Sequence, residues 1–253
     1  MKSLIQSILT ILLISKYVES SDSSSESTKI SDINLEEYYF PIDDLENTKV
    51  YHYVSDETEV KHLYWVLKKS VKNGKTFLIT DSYSMNSSGE FKRIEIINEE
   101  INEAGSFVKE YTKFQFDKNG NKFEVSAKLQ SECVFKWDMN KGEKIIWEFE
   151  TENKLYPGYI TNVEKKREYI KETTIIKFND KEYDAIVFSD NFKVKQSNST
   201  FNKSIISNFT QTSYYAKGIG MYQYVRKFPD GQVTYTLNKI LSKGQWNDLK
   251  KKK

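Results

Sequence analysis

The chain has 253 residues, enough for one domain with a sizeable core. Its 38 basic and 36 acidic residues nearly cancel, so no global field favours nucleic acid or another polyanion. A single cysteine excludes an internal disulfide, and two histidines are too few for a common zinc site; 14% aromatic residues with only 3 prolines and 10 glycines favour strands.

Residues 1–20 read as an export signal, with Lys2 ahead of an apolar run from Leu4 to Ile14 that is too short to cross a bilayer comfortably. The expectation is an exported protein, periplasmic or secreted, with no stable membrane span after cleavage. An uncleaved anchor is the alternative, because Ser15-Lys16-Tyr17 and Val18-Glu19-Ser20 match a small-x-small cleavage site only loosely. No cysteine follows the run to accept a lipid. Residues 21–35 are Ser-rich and polar, a flexible linker by composition. Residues 36–243 are expected to form a single antiparallel β domain, and 244–253, ending in four lysines, a solvated basic tail.

Within the domain, Tyr38-Tyr39-Phe40-Pro41-Ile42 makes a rigid entry to a strand at 50–54, with a turn or short helix at 56–61. Segments 62–67 and 76–79 flank Asn73-Gly74, a two-residue hairpin signal, and carry apolar residues on both faces, as a strand covered on both sides does. A strand follows at 91–97, then a loop or short helix at 98–103. Residues 107–130 read as a hairpin around a type I′ turn at Asn119-Gly120. That register sets Phe116 against Phe123, Phe114 against Val125 and Thr112 against Ala127 on a core face, and sends Lys113, Gln115, Lys122 and Glu124 to water. Residues 131–150 repeat the pattern around Asn140-Lys141-Gly142, with Cys133, Phe135, Trp137 and Met139 sharing a face with Ile145, Trp147 and Phe149.

A mixed-charge strand is expected at 159–177, with Phe178 and Tyr183 paired across Asp180-Lys181. Residues 194–210 are rich in Asn and Ser, with Asn-x-Ser/Thr triplets at Asn198, Asn202 and Asn208 and another at Asn86; in a chain of Lys/Asn/Ile-rich, bacterial-looking composition these read as chance triplets. The closing hairpin, 214–241, turns at Pro229-Asp230-Gly231. A three-residue loop with Gly231 at positive φ would set Phe228 against Gln232 and put Ile219, Met221 and Val225 on the face of Val233, Tyr235 and Leu237. Gly218 and Gly220 then leave a packing notch on the other face, where another segment is expected to cross. Nine to twelve such strands predict an all-β, mainly antiparallel fold: a curled sheet, an incomplete or half-barrel with little helix and with something filling its concavity.

Tyr39-Phe40-Pro41-Ile42 and the late Tyr215-Ala216-Lys217-Gly218-Ile219-Gly220-Met221 strand resemble motifs of a group of uncharacterised exported bacterial proteins with an early YFP[LI] and a late YxxG[VI]G[LM]. Asp180-Lys181-Glu182-Tyr183-Asp184 before Ala185-Ile186-Val187 is similar to the group's middle strand pair. The chain departs from the group after the first motif, with Asp43-Asp44-Leu45-Glu46-Asn47 in place of Gly and Trp. The resemblance implies a sheet similar to the half-barrels of periplasmic lipoprotein carriers, and no activity.

No residue set points to catalysis or to a cofactor. His52 and His62 lie ten residues apart in strand-like surroundings and read as ordinary sheet histidines rather than catalytic or metal-binding ones. Cys133 on an apolar face reads as a small hydrophobe, and Glu148 and Glu150 as a solvated pair. Phe135, Trp137, Trp147 and Phe149 are either core or the lining of a cavity for an apolar small molecule or lipid. The leading expectation is thus a non-enzymatic exported binding or carrier protein. The alternatives are an interaction module for a partner protein of the cell envelope and, more remotely, a hydrolase.

Overall fold

The computed structural model describes residues 33–56, 60–86, 88–198 and 200–251; the expected export signal and most of the linker lie outside the described residues. Fourteen strands form one antiparallel sheet. A first meander comprises β1 (Lys49–Ser55), β2 (His62–Lys72), β3 (Lys75–Met85), β4 (Phe91–Asn102) and β5 (Gly105–Phe116). Three short strands follow, β6 (Lys122–Ser126), β7 (Lys128–Ser131) and β8 (Cys133–Lys136). A second meander comprises β9 (Lys144–Glu152), β10 (Tyr159–Phe178), β11 (Lys181–Asn198), β12 (Lys203–Ala216), β13 (Gly220–Phe228) and β14 (Gly231–Ser242), and the helix α1 (Lys243–Lys251) ends the described chain.

Because β14 pairs back onto β1, the two meanders curl into a nearly closed barrel with one unsealed seam, between β5 and β9. The 122–136 segment runs along that seam. Its two ends, β6 and β8, pair with β5, while β7 between them bulges across to β9. Fourteen strands, three of them short, exceed the nine to twelve expected, and the curled all-β architecture is as expected.

Strand alternation sends one face of every strand inward, and at one end the inward residues make a closed core. Tyr51, Tyr53, Leu67, Leu78, Phe135, Ile186 and Phe188 are fully buried there. The core is completed by the segment before β1, two 3-10 turns at Leu35–Tyr38 and Ile42–Glu46. Leu35, Tyr39, Phe40 and Leu45 enter the barrel mouth and fill it as a plug. The Tyr51 and Tyr53 hydroxyls donate to the carbonyls of Ile219 and Met221, both at 2.7 Å, so the buried phenols are satisfied by the closing strand.

The two-sided apolar pattern of β2 has a second cause outside the barrel. Trp246 of α1 packs on Tyr64, Tyr83 and Phe91, over Val50 and Leu241. Residues 244–251, expected to be part of a solvated tail, therefore belong to a helix that begins at Lys243 and is docked by its one buried aromatic residue. Likewise 98–103, expected to be loop or short helix, continues β4 as far as Asn102.

Loop types differ from expectation at three hairpins. At Asn119-Gly120 the loop has three residues, 118–120, since Asp117 pairs with Asn121 and Gly120 takes φ +82°. The Asp117 carboxylate accepts from the Asn119 and Asn121 amides and selects this longer loop. The register moves by one, so Gln115 faces Phe123 and Lys113 faces Val125. The β5 side chains near the turn thereby change face: Lys113 turns inward opposite Val125, which is inward as expected, while Phe114 lies outside under Arg93 and Lys122.

At Pro229-Asp230 the loop has two residues, Phe228 pairs with Gly231, and neither Asp230 nor Gly231 has positive φ. The inward set of β13 is then Tyr224, Arg226 and Phe228 opposite Tyr235, Val233 and Gly231. Ile219 and Met221 still join the core, because a bulge between Met221 and Gln223 resets the alternation. Phe178 pairs with Lys181 rather than Tyr183, across Asn179-Asp180 at φ +51° and +60°. Finally, the apolar residues of 131–150 do not form a ladder with one another: β8 pairs with β5, and β9 with β10.

Candidate functional site

Midway along the barrel the inward positions become polar. Arg167 of β10 and Asp190 of β11 are directly opposed, and the guanidinium donates to both carboxylate oxygens, at 2.7 and 2.9 Å. Its remaining nitrogen donates to the Val134 carbonyl and to the Tyr215 hydroxyl, while Ser213 and Gln211 donate to Asp190. Burial opposes ionisation of Asp190, but Arg167 and Lys165 outweigh it and hold the carboxyl at about 2; Asp190 in turn raises Arg167. A second buried group lies toward the plug, where the Tyr39 and Ser106 hydroxyls both donate to Glu99. Burial pushes the Glu99 carboxyl up, against the pull of those donors and of Lys165 and Arg167.

Beyond this layer, at the end opposite the plug, the interior loosens. Trp147, Lys165, Phe192, Phe209, Arg226 and Phe228 face inward and are only half-buried. Phe192 stacks on Phe209 at 4.5 Å, and Phe209 meets Phe228 at 5.1 Å. Across the seam, Tyr111 of β5 packs edge-on to Phe149 of β9 at 4.8 Å and lies 5.5 Å from Trp147. Lys113 sits above the Tyr111 and Phe149 rings at 5.8 and 5.7 Å, and among the described residues it makes no hydrogen bond or ion pair. Its cross-strand neighbour Glu95 instead accepts the Tyr111 hydroxyl at 2.7 Å. Burial pushes the Lys113 ammonium down, opposed by Glu95 and reinforced by Arg226. Trp147 adds an indole nitrogen that is buried with no hydrogen-bond partner among the described residues. A groove of about 580 Å³ crosses the same strands, lined by Phe192, Phe209 and Phe228 and by the polar Lys166, Lys193 and Lys227.

The four aromatic residues singled out from the sequence separate into two places. Phe135 and Trp137 belong to the plug-end core, packed against Tyr39, Phe188 and Tyr215, with Trp137 Nε1 donating to the Asn102 carbonyl at 2.6 Å. Trp147 and Phe149 stand on the wall of the loose end. At the glycine pair, the Phe40 ring lies 2.5 Å from where a Cβ of Gly220 would be, whereas Gly218 faces open space and its amide donates to the Glu37 carbonyl.

His52 and His62 are 3.0 Å apart on the outer face, beside Tyr64 and away from the interior. Cys133 is half-buried and its thiol is pushed up by burial. Sequence reading missed Lys113, Lys165, Arg167, Asp190 and Arg226. The one signal available was same-face spacing on β10, where Lys165 and Arg167 fall at i+2 steps between Val163 and Tyr169, and it was masked by the charged Glu164, Lys166 and Glu168 on the other face.

No family model matches the chain, and no curated protein matches it. Among solved structures, it is similar to a candidate lipoprotein from Parabacteroides distasonis, with 9% identity and a TM-score of 0.52, over 81% of this chain and 98% of that one. It is also similar to a candidate exported protein with a YmcC-like fold from Bacteroides fragilis, with 8% identity and a TM-score of 0.48, over 78% of this chain and 95% of that one. At such identities the Parabacteroides likeness establishes a shared sheet fold spanning nearly the whole of that protein.

Proposed function

We propose that the chain is an exported, non-enzymatic binding protein that takes an apolar-bodied small molecule into the loose end of its barrel. The observation that carries this reading is the half-buried inward wall of Trp147, Phe192, Phe209 and Phe228, facing a plug end where equivalent rings are fully buried. Export rests on residues 1–20 and is in keeping with the description of the Parabacteroides protein, whose fold this chain shares. Binding rather than catalysis is favoured because the carboxylates beside this wall are already engaged, Asp190 by Arg167 and Glu95 by the Tyr111 hydroxyl, and both histidines lie outside the barrel.

Titration with N-phenyl-1-naphthylamine, a neutral fluorescent probe, tests the reading. Saturable enhancement is expected at one probe per chain, weakened by Phe209→Asp. A signal that never saturates, or one indifferent to Phe209→Asp in a folded variant, overturns it.

The exposed Phe201, Ile205 and Ile206 at the tip of the β11–β12 hairpin favour a second reading, an interaction module that presents this apolar tip to an envelope partner. Replacing the three with serine would then abolish partner capture and leave probe binding unchanged.

A further inference from the structure

The loose end carries more positive charge than its own carboxylates neutralise. Lys113, Lys165 and Arg226 all face inward there, and each lies close enough for Arg226 to disfavour the charge on both lysines. Of the three, only Lys165 has a carboxylate of the described residues within 4 Å, Asp190 at 3.5 Å, and that carboxylate is already held on both oxygens by Arg167. Arg226 spends its Nε on Gln211 at 2.8 Å and its guanidinium face on Tyr224. Glu95, the other carboxylate at this level, is engaged by the Tyr111 hydroxyl. Two donors are left over: the Lys113 ammonium, with rings beneath it and no acceptor, and the buried Trp147 Nε1. Both border Tyr111, and Trp147 sits directly opposite Lys165 on the neighbouring strand.

A buried donor left without an acceptor is destabilising, and a buried cation without a counter-charge more so. Two such donors beside two further cations form a complement to an oxyanion. The adjoining Phe192, Phe209 and Phe228 ladder has no polar atoms and complements a hydrocarbon chain. We propose that the loose end binds an anionic amphiphile, its carboxylate or phosphate head held by Lys113, Lys165, Arg226 and Trp147 Nε1, and its chain laid along the phenylalanines. The inference rests on the binding reading above and names the ligand class for the same site. The Lys165 ammonium, pushed down to about 8 chiefly by burial and then by Arg167, gains a second counter-charge when such a head arrives.

The test is displacement of N-phenyl-1-naphthylamine from the full chain by four ligands of equal chain length: dodecanoate, dodecyl phosphate, dodecanol and dodecyltrimethylammonium. The two anions are expected to displace the probe at concentrations at least tenfold below dodecanol, and the cation least well. Lys113→Met should erase most of that preference and Lys113→Arg should retain it. Dodecanol matching both anions overturns the charge inference while leaving the binding reading intact; a probe that never binds overturns the binding reading itself. Should Lys113→Met fail to fold, the indole resonance of Trp147, assigned with Trp147→Phe, decides on the natural chain. It should move downfield with dodecanoate and stay with dodecanol, and an indole that ignores both rules out the site.

Discussion

At the scale of single residues, Arg167 and Gly220 show how differently two fully enclosed positions are constrained. Arg167 is charged, and all its nitrogens have somewhere to go: Asp190, the Val134 carbonyl and Tyr215. Removing it strands a carboxylate between Ser213, Gln211 and a lysine, so Arg167→Met should cost about 3–5 kcal/mol in urea unfolding. The double variant Arg167→Met/Asp190→Leu should be more stable than Arg167→Met alone, because the unpaired charge goes with its partner. A double variant as unstable as the sum of the singles would mean that the pair is not the unit. Gly220 is constrained by space and conformation together. It takes φ +95°, and the Phe40 ring fills the place of a side chain, so Gly220→Ala should cost about 2–3 kcal/mol. Gly218→Ala adds a methyl to open space at φ +71° and should cost only about 1 kcal/mol, the strain alone. Equal losses at the two glycines would show that Phe40 yields freely.

At the scale of elements, the helix α1 turns a solvent face of β1 and β2 into a second small core, and that core has a pH consequence. His52 stacks on Tyr64 at 4.4 Å, and Tyr64 lies under Trp246. Burial first, then the nearby His62 and Lys239, push the imidazole down to about 4. Its folded pKa is below the ordinary value near 6.5, so the unfolded chain binds the extra proton first. Stability from this group is therefore complete above about pH 6.5 and is lost as the pH falls toward 4. Allowing for solvent screening the loss is about 1–2 kcal/mol. Unfolding midpoints at pH 7 and 4.5 should differ less in His52→Gln than in the natural chain; the same difference in both would place the titration elsewhere. Asp190, held at about 2, contributes its stability in full above about pH 4 and loses it only as the pH falls further toward 2, so it does not confuse this window.

The helix itself was hard to read, because a nine-residue segment with three lysines and one tryptophan has little apolar periodicity, and its docking is set by a tertiary contact. The strands were legible because alternation is local. Their registers were legible only where the turn residues dictate one loop. Asn73-Gly74, with both residues at positive φ, closed as its sequence requires. At Asn119-Gly120 the preceding Asp117 changed the loop, and that one-residue slip turned Lys113 from an outward polar residue into the unpaired ammonium of the interior. The two-residue loop at Pro229-Asp230 turned Arg226 inward in the same way, and the bulge after Met221 then returned Ile219 and Met221 to the core. A candidate site built from charges on inward positions reads, in sequence, like the solvated face of an ordinary strand. Only the register separates the two, and at Lys113 the register was fixed by the Asp117 carboxylate inside the turn, which overrides the Asn-Gly signal.

At the scale of the whole molecule, the barrel is polarised along its axis. The plug closes one end, the Arg167 layer crosses the middle, and β10, β11 and β12, at 20, 18 and 14 residues, run on past it. Along β11 and β12 the antiparallel pairing is continuous from Ala185–Ala216 to Asn198–Lys203. The backbone ladder is the same at both ends, yet Ala185–Phe188 lie over packed rings, whereas residues 203–208 are exposed. Native-state hydrogen exchange should therefore follow packing rather than hydrogen bonding. Amides of 185–190 should exchange by opening of the whole barrel, and those of 195–207 faster by at least two orders of magnitude, through fraying of the hairpin. Uniform protection along the ladder would mean that the arm is held by something other than the core. Because the bound amphiphile would sit where the packing gives out, dodecanoate should carry slow exchange outward past Phe192 and Phe209 and across the seam to Trp147. A boundary that stays at Asp190 while the ligand binds would place the ligand somewhere other than the loose end, and the unmatched charge of Lys113 would then need another explanation.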